Sequence, residues 1–90
     1  MKNSNQKINE TSAAAQRTKL LAALHKHPVS TIHALEELDI IAPEPRVFEL
    51  RHNQGLNILT HWKTEPTACG KNHRVAEYIL RSGKWNGEAA

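Results

Sequence analysis

Four polar residues at helical spacing, Arg46, Glu49, His52 and Asn53, carry the chemistry that stands out in this chain. A guanidinium can pair with the edge of guanine and an Asn amide with adenine in the major groove, while Glu49, unfavourable opposite phosphate, either accepts from a cytosine amino group or pairs with Arg46. A second set lies further on. Lys63, Lys71, Asn72, His73 and Arg74 flank a loop of small and polar residues, where cations and amides can meet phosphate oxygens. Arg51, Ser30 and Thr31 complete the candidate backbone contacts, the latter two at a helix start whose free N–H groups favour an anion. The opposing explanation for each residue is a solvated face, a cap or ordinary hairpin solubility.

These residues need elements to hold them. Residues 1–10 are polar and read as a disordered lead-in. Thr11 or Ser12 can cap a first helix, with Ala13, Ala14 and Ala15 as strong helix formers and Leu20, Leu21 and Leu24 as its apolar stripe. Arg17 falls within that stripe, either bridging to a carboxylate or emerging past the core. Pro28 stops the helix. Ser30 caps a second helix, in which Ile32, Leu35 and Leu38 are read as one face. Asp39 takes a turn position that asks for left-handed backbone, and Ile40 plugs the corner. A third helix opens at Pro43. Prolines within a first turn break nothing, because the N–H groups there have no helical partner. Val47 and Leu50 face inward, Pro45, Glu49 and His52 point most squarely outward, Phe48 lies at the edge, and Gly55 ends the helix.

Two alternating segments follow. Leu56, Ile58, Thr60 and Trp62 face one way, and Ala76, Tyr78 and Leu80 match them in a second strand. A register pairing Ile58 with Tyr78 and Trp62 with Arg74 leaves residues 64–73 as the tip. The expected domain spans 11–81, with 82–90 as a flexible tail in which Trp85 either packs back or, as is commoner for a lone tail aromatic, is exposed. The expected core is Leu20, Leu24, Leu35, Leu38, Val47, Leu50, Ile58 and Tyr78.

Composition narrows the function classes. Ninety residues allow one domain, and the formal net charge of +3 suits nucleic acid better than acidic lipid, since no stretch is a basic amphipathic helix. Cys69 is the single cysteine, which forbids an internal disulfide and fits a reducing cytoplasm. No segment has the length of a membrane span. His25 and His27, or Cys69 and His73, lack a second pair at zinc spacing, and no nucleophile–base order or phosphate loop is found. The expectation is no enzyme, no cofactor and no metal.

The segments Q-R-T-K-L-L-A-A-L, S-T-I-H-A-L-E-E-L-D-I, P-R-V-F-E-L-R-H-N-Q-G-L-N-I-L-T and R-V-A-E-Y-I-L resemble the winged helix-turn-helix family of small bacterial and phage-type DNA-binding proteins, from Thr11 to Leu80. Two positions depart from that pattern: Asp39 stands where glycine is usual, and Pro45 where an ordinary helix former is. The resemblance implies an α+β fold, with a three-helix core followed by a two-stranded β-hairpin wing. It also implies a third helix that reads double-stranded DNA, a wing on the backbone, and a regulatory role in transcription or recombination. A homodimer is compatible with this, because one module buries little DNA surface. The alternative from another class is a winged-helix module whose same face binds a protein, favoured by Phe48 and by the weakly basic outer strip of the third helix.

Overall fold

Local chemistry sets each helix boundary in this computed structural model, which describes residues 12–86. Ser12 accepts from the Ala15 amide at 3.1 Å and opens α1 (Ala13–Lys26), which ends at extended His27 before Pro28. Ser30 accepts from the His33 amide at 3.0 Å and opens α2 (Thr31–Leu38). Asp39 follows with φ 58° and ψ 40°, the left-handed conformation its side chain tolerates. The Asp39 and Ile40 amides both turn back to the Ala34 carbonyl and close the end of the helix. Helix α3 (Pro43–Gln54) begins with its prolines in the first turn and stops at Gly55, whose φ of 70° suits a residue without Cβ.

The sheet is three-stranded and antiparallel, in the order β1 (Val29–Ser30), β3 (Asn72–Lys84), β2 (Leu56–Pro66). The expected two-stranded hairpin thus gains a strand: Val29 pairs with Tyr78 and Ser30 with Glu77. A strand of two residues is too short for alternation to reveal it. The hairpin register also differs from expectation. Ile58 faces Leu80, Thr60 faces Tyr78 and Trp62 faces Ala76, a slip of two residues. A slip of two leaves every side chain on its original face, so apolar patterning cannot distinguish the two registers. The turn decides. Thr67 donates its amide and hydroxyl to the Lys71 carbonyl, at 2.8 and 3.0 Å, and Gly70 adopts φ 87°. Pairing therefore continues to Pro66 and Asn72, and the tip is shorter than expected.

The core joins Leu20, Ala23 and Leu24 of α1, Val29 of β1, Ala34 of α2, Ile40 of the turn, Val47 and Leu50 of α3, and Ile58, Ala76 and Tyr78 of the sheet. Leu38, Leu56 and Leu80 pack partly against it. Leu35 does not belong there, being 48% exposed. Steps of three residues drift by about 60° each on an α-helix, so Ile32, Leu35 and Leu38 do not share a face. Ala34 and Leu38, four apart, lie closer to one line.

The C-terminal end of the fold also departs from expectation. Strand β3 runs through residues 82–84, and the Trp85 amide donates to the Gly55 carbonyl at 2.9 Å. Trp85 is half-buried, with the Arg51 guanidinium 4.2 Å above its ring. The 1–10 lead-in and the last four residues of the expected tail lie outside the described residues.

Tyr78 gives the core a pH signature. Burial chiefly pushes its hydroxyl up from 10.0 to about 12; nearby Glu44 adds to the rise, and Arg51 opposes it. The folded state then holds this proton more tightly than the unfolded chain. Stability is full below pH 10 and declines as pH rises towards about 12, by about 2 kcal/mol from this group. In urea titrations across that window, Tyr78→Phe should flatten the decline. An unchanged slope would remove Tyr78 as its source.

Candidate nucleic-acid interface

Helix α3 presents Glu44, Pro45, Phe48, His52, Asn53 and Gln54 to solvent while Val47 and Leu50 anchor it from behind. The four expected base-reading residues separate into two pairs. His52 and Asn53 are exposed. Arg46 and Glu49 are not outward: their side chains are 19% and 27% exposed, and they bind each other. Arg46 Nε lies 3.1 Å from Glu49 Oε1, and its Nη2 donates to Oε2 at 3.2 Å. Arg17 of α1 donates to the same carboxylate at 2.7 Å. Glu49 thus turns towards α1 and holds two guanidiniums, and the bridging option for Arg17 is the one realised. No periodicity could have joined Arg17 to Glu49, thirty-two residues later.

Several expected backbone contacts are engaged within the fold. Ser30 is buried and caps α2. The Thr31 hydroxyl donates to the Ala76 carbonyl at 3.3 Å. Arg51 donates from Nε to the Ile58 carbonyl and from Nη2 to Thr60 Oγ1, both at 2.8 Å. Burial pushes the Arg51 guanidinium below its ordinary value, and Tyr78 partly offsets this. Lys63 donates to Glu77 at 2.8 Å and sits 2.9 Å from Glu65. These bonds hold the Lys63 ammonium above its usual value, and the Lys63 bond in turn holds the Glu77 carboxyl below its own.

The remaining wing residues, Lys71, Asn72, His73 and Arg74, are all exposed. Among the described residues neither Lys71 nor Arg74 has a carboxylate partner. Arg74 lies across from Thr64, with its guanidinium 4.8 Å from the Trp62 ring centre. Trp62 itself is half exposed, as are Phe48 and, more strongly, Ile41. Sequence patterning had assigned Trp62 to the apolar face without showing that this face outruns the helices covering it. Among the described residues no group of three or more His, Cys, Asp or Glu is placed to hold a metal ion, and no helix is long and apolar enough to cross a membrane.

The geometry defines a class: two helices joined by a tight left-handed turn, the second leading into an antiparallel hairpin that projects beyond the core. The chain belongs to the winged helix-turn-helix domain family, whose model matches residues 15–83. DNA binding in general is what this architecture supports. No curated protein and no solved structure matches the chain significantly.

Proposed function

We propose that this protein is a sequence-specific double-stranded DNA-binding module, not an enzyme, and that it regulates transcription or recombination in a bacterial or phage setting. Helix α3 enters the major groove with His52 and Asn53 outward, and the wing tip follows the phosphate backbone. The observation that carries this reading is the pair of wing cations, Lys71 and Arg74, that have no carboxylate partner among the described residues, together with a third helix whose outer face is exposed. Arg46 is a reserve contact, since a phosphate or guanine edge can draw it away from Glu49. A dimer reading two half-sites one helical turn apart accords with the small surface of a single module.

The second reading, a protein-binding module, draws on Glu49. By holding Arg46 and Arg17 it strips positive charge from α3, while Phe48 and Ile41 remain exposed. Titration of random duplex DNA at two salt concentrations separates the two. On the DNA reading, affinity falls steeply with salt. Lys71→Ala and Arg74→Ala each reduce the logarithmic salt slope by about 0.9. Lys63→Ala changes the slope far less, because Glu65 and Glu77 already neutralise that ammonium. Absence of duplex binding at low salt would transfer the surface to a protein partner.

A further inference from the structure

Phe48 is 60% exposed in the middle of α3, and the fold gives it no burial to justify an aromatic ring there. It lies four residues from both Glu44 and His52, so the three form one outward stripe. The His52 ring packs against it, with centroids 4.1 Å apart and planes inclined by 37°, which restrains the phenyl group on the surface. The polar residues best suited to base edges, Arg46 and Glu49, are meanwhile bonded to each other.

The geometry points to Phe48 as a specificity-determining residue that recognises the C5-methyl group of thymine in the major groove. This rests on the DNA-binding reading above. Thymine carries the one apolar group on any major-groove base edge, and an apolar side chain there is its natural counterpart. The helix that carries Phe48 is bonded to the wing strands through another of its faces. Arg51 of α3 holds Thr60, which shares a strand face with Trp62 and Thr64, and Thr64 lies opposite Arg74. An apolar residue on a helix tied to a cationic hairpin suits a nucleic-acid edge flanked by phosphates better than an apolar protein surface.

Wild-type protein is used to select sites from a random duplex pool. Each thymine of the selected site is then replaced singly by deoxyuridine, which removes the methyl group and leaves every hydrogen-bonding edge unchanged. The expected result is a loss of about fourfold at one or two positions, the worth of one buried methyl group. Phe48→Ala should bind the thymine site as weakly as wild type binds the deoxyuridine site, and should ignore the replacement. Phe48→Leu, which keeps an apolar tip, should retain the preference. Indifference of wild type to every replacement overturns the proposal while leaving DNA binding intact. So does a Phe48→Ala variant that still prefers thymine at the sensitive positions, or one whose affinity is unchanged, the outcome for a protein-docking residue. Failure of wild type to bind any duplex at low salt removes the DNA-binding reading itself.

Discussion

Leu50→Ala is expected to cost about 2–5 kcal/mol, enough to threaten the whole fold, because the residue is fully buried where α3 meets α1 and the sheet. Domains of this size have total stabilities on the order of 5–15 kcal/mol, and this one relies on a short roll of large side chains. Truncation leaves a cavity that neighbours can fill only by moving a helix whose other anchors, Pro43 and Val47, are equally buried. At about 4–8 °C per kcal/mol, the thermal midpoint should fall by at least about 8 °C. Leu35→Ala provides the contrast. It deletes the same atoms from a residue that is 48% exposed, and should cost less than about 1 kcal/mol. Equal midpoints for the two variants would contradict the placement of both leucines.

That contrast also marks where the sequence ceased to be informative. Helix limits were legible because they depend on neighbours in the chain: Ser12 and Ser30 as caps, Asp39 and Gly55 in left-handed backbone, proline confined to a first turn. Ile40 in the corner was legible for the same reason, and it is fully buried. The strands were legible as strands, but not their register, since pairing Ile58 with Tyr78 or with Leu80 buries the same faces. Strand β1 was hidden because Val29 and Ser30 pair with residues almost fifty positions away. The candidate site was only partly readable. Exposed His52, Asn53, Lys71 and Arg74 follow from element periphery alone. The pairing of Arg46 with Glu49, three residues apart, was within reach of helical spacing, whereas the engagement of Glu49 by Arg17 depends on how α1 crosses α3, which no local pattern encodes.

Arg51 is the residue where the two levels of reading differ most in consequence. Its charge and position on α3 favour a phosphate contact, whereas its bonds tie α3 to β2 and to the end of β3. Arg51→Ala is expected to cost roughly 3–4 kcal/mol. Two hydrogen bonds from a charged donor, to the Ile58 carbonyl and Thr60 hydroxyl, are lost, each worth about 1.5–3 kcal/mol before allowing for partial exposure. The stacking of the guanidinium on Trp85 adds about 0.5–1 kcal/mol. Arg51→Lys keeps the charge but not the fork, so one ammonium cannot serve both acceptors and cover the indole as well. As a clamp, Arg51 therefore predicts a clear loss of stability in urea for both variants, with Trp85 more exposed to quenchers. It also predicts an unchanged salt slope for the fraction that remains folded. A phosphate contact predicts the opposite: normal unfolding for both variants, affinity retained by lysine, and a slope lower by about 0.9 for alanine. On the proposed DNA-binding reading the wing meets DNA from β2 and β3, whose junction with α3 is held by this side chain. In the clamp role Arg51 governs the angle between reading helix and wing without touching the nucleic acid.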